Sequence, residues 1–199
     1  MITFYGAPMS NAGRSRWMLE ECGVPYAYEI VDLRDDAQRA AFAEVFPGCK
    51  IPYLIDGDVR LSESMAINFY LAETYQPELV PADRAGRALA YQWSFWAITN
   101  LQPEALAVMR NTTILPPEQR SAAAADAGRT GSQRFVDQLE AALAGDWLIG
   151  DHFTIADLNA GSVVGTATRI GAAKAGPRVA AWLDHLRARP AYQKAFAPT

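Results

Sequence analysis

Three short clusters in this chain carry side chains suited to chemistry. Ser10 and Asn11 lie where a strand gives way to a helix, Lys50-Ile51-Pro52 precedes a strand, and Glu63-Ser64 opens another helix. A helix start presents free backbone N–H groups and the positive end of the helix dipole, and both favour a carboxylate. Ser64 can hold a carboxylate with its N–H and hydroxyl while Glu63 pairs with an ammonium, so the two together suit one zwitterionic group. The same pair also makes a good helix start with no ligand at all. Ser10 has no His or acid near it in sequence and no Gly-x-Ser-x-Gly elbow around it, so it lacks the base that a nucleophilic serine requires. Donating a hydrogen bond to an anion requires neither; the other role open to Ser10 is to cap its helix. Pro52 either marks a strand boundary, where its missing N–H costs no ladder bond, or carries a cis Ile51–Pro52 peptide.

Other chemistries find little support. The only histidines are His152 and His185, and Cys22 and Cys49 form no Cys-x-x-Cys, so the ligand spacings of a zinc site are missing and no metal is expected. A formal charge of -4, from 22 acidic and 18 basic residues, gives no field to attract nucleic acid or anionic lipid. Every apolar run is broken well short of the roughly 20 residues that span a bilayer. With two distant cysteines and a first segment that reads as a strand instead of a leader, the chain is expected to be cytoplasmic.

The elements that must position these clusters fall into two halves. Residues 1–5 read as a strand, 11–22 as a helix with Gly23 placed for a left-handed cap, 26–31 as a strand and 38–46 as a short helix. Residues 51–55 and 59–61 read as strands around Asp56-Gly57-Asp58, and a third helix runs over 63–75. Pro77 and Pro81 then bracket a connector, after which the pattern is helical throughout. Two long segments, 82–111 and 117–144, should lie side by side as antiparallel neighbours. Shorter helices are expected over 155–172 and 177–188 and in the tail after Pro190. Thr154 and Asp157, flanked by Phe153 and Leu158, have the spacing of a capping box with a hydrophobic staple, a folding device. Tyr91, Trp93, Phe95 and Trp96 have the spacing of packing or dimer contacts more than of a substrate pocket.

Taken in order, Tyr5-Gly-x-Pro-x-Ser10 leading to Leu19-Glu20-Glu21, Gly48-Cys49-Lys50-Ile51-Pro52-Tyr53-Leu54, Leu61-Ser62-Glu63-Ser64 and Phe153-Thr154-Ile155-Ala156-Asp157-Leu158 resemble the glutathione transferases, and Arg189-Pro190-Ala191-Tyr192 is similar to bacterial members. The resemblance implies an α/β thioredoxin-like N-terminal domain (βαβαββα) over 1–76, a linker at 77–81 and an all-α helical domain over 82–199. It implies glutathione as co-substrate, with Glu63 and Ser64 on its γ-glutamyl end, Lys50 on the glycine-end carboxylate and the Ile51 backbone, beside cis Pro52, pairing with the peptide in strand fashion. Where dithiol members of the fold carry Cys-x-x-Cys, this chain has Met9-Ser10-Asn11-Ala12, so the thiol arrives with glutathione and Ser10 stabilises its thiolate. Tyr5 and Asn11 occupy the positions used by other classes and stay open as competitors to Ser10. Family position places the pocket for a small hydrophobic electrophile at Ala7, Pro8, Leu106, Met109 and Arg110, and implies a homodimer. The alternatives are a non-catalytic transferase-like interaction module, or glutathione-dependent peroxidase, dehalogenase or isomerase activity.

Overall fold

A computed structural model describes residues 1–8 and 10–197. Met9, within the expected strand-to-helix junction, and Pro198 and Thr199 at the end of the expected helical domain lie outside the described residues. The first half is a four-stranded sheet in the order β2-β1-β3-β4, made from β1 (Ile2–Gly6), β2 (Tyr26–Ile30), β3 (Tyr53–Asp56) and β4 (Val59–Ser62). β1 runs parallel to β2 and antiparallel to β3, which is antiparallel to β4. Helices α1 (Ala12–Cys22), α2 (Asp36–Val45) and α3 (Ser64–Tyr75) complete the thioredoxin-like βαβαββα order.

Successive side chains of a strand point to opposite faces, and β1 shows what each face covers. Gly6, on the same side as Ile2 and Phe4, comes so close to α1 that an added Cβ would sit 2.6 Å from the Cβ of Ala12. Tyr5 points the other way, into an aromatic cluster with Phe42 of α2 and Tyr53 of β3. Local chemistry sets the helix ends. Gly23 closes α1 at φ 64, a left-handed conformation that glycine adopts without strain, and its N–H reaches the Leu19 and Glu20 carbonyls. α2 starts two residues before the expected Gln38 because the Asp35 carboxylate accepts the N–H groups of Ala37 and Gln38, both at 2.9 Å. β3 starts at Tyr53, one step beyond Pro52, since proline has no N–H for the ladder.

The second half is helical: α4 (Arg84–Trp96), α5 (Gln102–Met109), α6 (Ala122–Ala142), α7 (Ile155–Arg169) and α8 (Pro177–Arg187). The segment expected as one helix over 82–111 is interrupted by a π-helical turn at Ala97–Leu101, and a second π turn, Arg110–Ile114, ends it. α5 and α6 pack closely because Gly128 has no side chain; a Cβ there would lie 2.7 Å from the Glu104 carbonyl oxygen. The Thr154–Asp157 capping box is present. Asp157 is fully buried, with Oδ2 accepting from the Thr154 N–H and hydroxyl and Oδ1 from the Leu148 N–H and the Trp182 indole.

By their internal contacts the residues form two compact units, Met1–Val80 with Arg189–Thr199, and Pro81–Ala188. The tail, expected to belong with the helical domain, differs: its helix α9 (Pro190–Phe196) packs on α1, because Glu20 and Glu21 of α1 ion-pair with Lys194 and Arg189.

Candidate functional site

The sheet register brings the sequence clusters to one end of the first unit. Tyr5 pairs with Tyr53, and Tyr53 with Ser62. One step further along these three strands stand Gly6, Pro52 and Glu63, so the chain leaving β1 towards Ser10, the Lys50-Ile51-Pro52 segment and the start of α3 share a sheet end. The Ile51–Pro52 peptide is cis, as one of the two sequence readings required.

Ser10 sits just before α1. Its hydroxyl donates to the Ala7 carbonyl at 2.7 Å, and its Oγ accepts the Ala12 N–H at 3.1 Å. It therefore caps the helix and still owns a proton on a single-bond rotor. Asn11 is exposed, does not cap α1, and accepts on Oδ1 from the Arg14 guanidinium at 2.6 Å. Arg14 is buried, and burial lowers its pKa to about 10. The Tyr5 ring is a half-buried member of the cluster beneath α2, tilted against Phe42 at 5.3 Å and Tyr53 at 6.2 Å between centroids.

At α3, Ser64 is buried in the first turn while the Glu63 side chain is exposed. Glu63 has φ 70 and ψ 112, a conformation that a residue with a Cβ adopts at a cost of order 1–3 kcal/mol and keeps only where its surroundings enforce it. Such outliers cluster at ligand clamps. The start of α3 is tied to α1 by Ser15, whose hydroxyl donates to the Ser64 carbonyl at 3.4 Å. Its partner lies 49 residues away, so no local pattern in the sequence could have singled out Ser15. Lys50 is exposed, Ile51 is half-buried and Pro52 is buried.

The residues expected around an electrophile have these surroundings within their own units. Ala7 is half-buried and Pro8 exposed after β1; Leu106 is exposed and Met109 half-buried on α5, and Arg110 is exposed at the start of the second π turn. Among the described residues no group of three or more His, Cys, Asp or Glu is placed to hold a metal ion. No helix among them is long and apolar enough to cross a membrane.

Comparison with known proteins converges on one family. The N-terminal domain of glutathione S-transferases matches residues 1–73, and the C-terminal domain of the same family matches 105–190. Among curated relatives, glutathione S-transferase 3 of Zea mays is 33% identical over 98% of this chain and 93% of its own length. Glutathione S-transferase GstB of Escherichia coli (strain K12) is 31% identical over 98% of this chain and 97% of its own. Among solved structures, the theta class glutathione S-transferase of Xanthomonas axonopodis pv. citri with glutathione bound superposes with a TM-score of 0.88 at 30% identity, covering 100% of this chain and 98% of that one. With both domains matched in order and relatives of this identity along nearly the whole length, the chain belongs to the glutathione S-transferase family.

Proposed function

We propose that the chain conjugates glutathione to small hydrophobic electrophiles by holding the tripeptide along the sheet end and keeping its sulfur as a thiolate. The observation that carries this reading is the strained Glu63 beside Ser64, on the same sheet end as cis Pro52 and the approach to Ser10. Ser64, with its hydroxyl and backbone N–H at a helix start, takes the γ-glutamyl carboxylate, and the exposed Glu63 takes the ammonium. The Ile51 backbone pairs with the peptide in strand fashion and Lys50 meets the glycine-end carboxylate.

Ser10 supplies the chemistry without acting as a nucleophile. A turn about its Cβ–Oγ bond exchanges the neutral bond to Ala7 for a charge-assisted one to sulfur, leaving Oγ free to keep the Ala12 N–H. Neutral bonds contribute about 1 kcal/mol net and bonds to charged groups about 1.5–3 kcal/mol, so the exchange favours the thiolate by about 0.5–2 kcal/mol. At 1.36 kcal/mol per unit this lowers the thiol pKa by roughly one unit from its reference of about 8.5. The chain is proposed to work as a cytoplasmic homodimer, with the glutathione domain over 1–76, the linker at 77–81 and the helical domain from 82 onward, its tail helix α9 returning to α1.

The test is retention on immobilised glutathione combined with turnover of a chloronitroarene. Retention with turnover supports the enzyme. Retention without turnover of that compound or of a panel of peroxides and alkyl halides would make the chain a binding module, and failure of both would remove the reading.

A further inference from the structure

α9 touches α1 along one stripe. Gly13, Trp17, Glu20 and Glu21 are spaced i, i+4, i+7 and i+8, which places them on a single helix face. Arg189 binds Glu21 with two donors, at 2.6 and 2.8 Å, and the Trp17 indole donates to the same carboxylate at 2.8 Å. Lys194 reaches Glu20 at 2.5 Å, and Glu20 also accepts the Tyr26 hydroxyl. The carboxylates are almost wholly buried, at 8% and 5% side-chain exposure; Arg189 is itself mostly covered, so its pair is screened less by water than a surface ion pair, whereas Lys194 reaches Glu20 from solvent. Above them Tyr192 meets the buried Trp17 edge to face at 4.9 Å.

The last contact of the stripe lies at the start of α1. A methyl group built on Gly13 would be 2.9 Å from Cε1 of Phe196, so the bare glycine lets that ring close onto the helix backbone. Gly13 is also the residue whose N–H binds the Ser10 carbonyl, at 3.1 Å. The first turn of a helix has the fewest internal bonds and opens most easily. Ser15, on another side of the same turn, binds the Ser64 carbonyl. The turn that carries Ser10 is thus held by α3 on one side and by Phe196 on the other.

We propose that α9 is a strap for the active-site turn, and that Phe196, through Gly13, is a positioning residue that fixes where the Ser10 hydroxyl points. The ion pairs of Arg189 and Lys194 anchor the strap at the far end of α1, and the ring acts at the near end. The proposal rests on Ser10 as the donor to the glutathione thiolate.

The experiment titrates the thiolate absorbance of bound glutathione against pH in the wild type, Phe196→Ala, Phe196→Leu, Ser10→Ala and Phe196→Ala/Ser10→Ala. Phe196→Ala should raise the midpoint by about half to one pH unit and lower kcat/KM about three- to tenfold below that midpoint, with glutathione affinity changed less than about twofold. Phe196→Leu, which keeps an apolar side chain over Gly13, should recover most of the shift. In the Ser10→Ala background the Phe196→Ala shift should vanish, the non-additivity expected of a residue acting through another. Phe196 is about half exposed, so its truncation leaves the core in place. A fall in melting temperature with an unmoved midpoint, while Ser10→Ala does move it, would overturn the strap and leave the Ser10 reading standing. A midpoint that Ser10→Ala does not move would overturn the Ser10 reading, and the proposal with it.

Discussion

The Ser10 hydroxyl has one proton, directed at the Ala7 carbonyl 2.7 Å away, and the catalytic use proposed for it turns on redirecting that proton. Ser10→Ala should leave glutathione affinity within about threefold while moving the kcat/KM profile upward by about one pH unit. The same change removes the acceptor of the Ala12 N–H, so it should also lower stability by about 1 kcal/mol, measurable separately by denaturant unfolding. If Ser10→Ala keeps the wild-type profile while Tyr5→Phe or Asn11→Ala abolishes turnover, the reactive group is the other residue. Glu63 makes a second expectation at this scale. Glu63→Gly should weaken glutathione binding at least about tenfold in calorimetry and keep or raise the unfolding midpoint, since glycine relieves a positive φ that the wild type bears. A parallel loss of binding and stability would make Glu63 a structural residue. The residue types at 10, 63 and 64 were legible in the sequence; the Ala7 bond and the backbone conformation of Glu63 were not, because both arise from chain geometry that identity alone does not encode.

At the scale of elements, the legible features were those set by local chemistry. Gly23 beyond α1, the alternation of the sheet and the Thr154–Asp157 box at α7 each depend on residues a few positions apart. The π turn at Ala97–Leu101 was not legible, since one extra residue in a helical turn barely disturbs the periodicity of a long apolar pattern. Nor was the docking of α9, which depends on ion pairs such as Glu21–Arg189, 168 residues apart. The box at α7 carries its own prediction. Burial raises the Asp157 pKa above its ordinary 3.8, against four hydrogen bonds that lower it. The folded state therefore holds the proton more tightly than the unfolded one. The stability linked to it is fully present below the unfolded pKa and is lost as pH rises through the folded pKa. Asp157→Asn should flatten stability across that interval in urea unfolding. It should also cost about 2 kcal/mol at neutral pH, because an amide nitrogen placed at Oδ2 faces the Thr154 N–H and leaves it without an acceptor. An unchanged pH dependence would remove Asp157 as its source.

For the whole molecule, the proposed homodimer has a visible candidate surface on α4, where Tyr91 and Phe95 stack at 6.4 Å between centroids while both rings are exposed. Aromatic side chains are enriched at association surfaces. Sedimentation at micromolar concentration should give twice the 21.7 kDa of one chain, and Phe95→Glu should weaken association at least about tenfold. A wild type that sediments as a monomer would contradict the dimer. The seating of Arg189, Tyr192, Lys194 and Phe196 on α1 bears on the order in which the chain is made. The first unit is completed by residues that follow the entire Pro81–Ala188 unit in sequence. At about 5–20 residues per second, a ribosome would spend roughly 5–20 s on that interval with Trp17, Glu20 and Glu21 still uncovered. The nascent first unit would then wait as an open intermediate, exposed to chaperones and proteases, until the last helix leaves the exit tunnel and closes it.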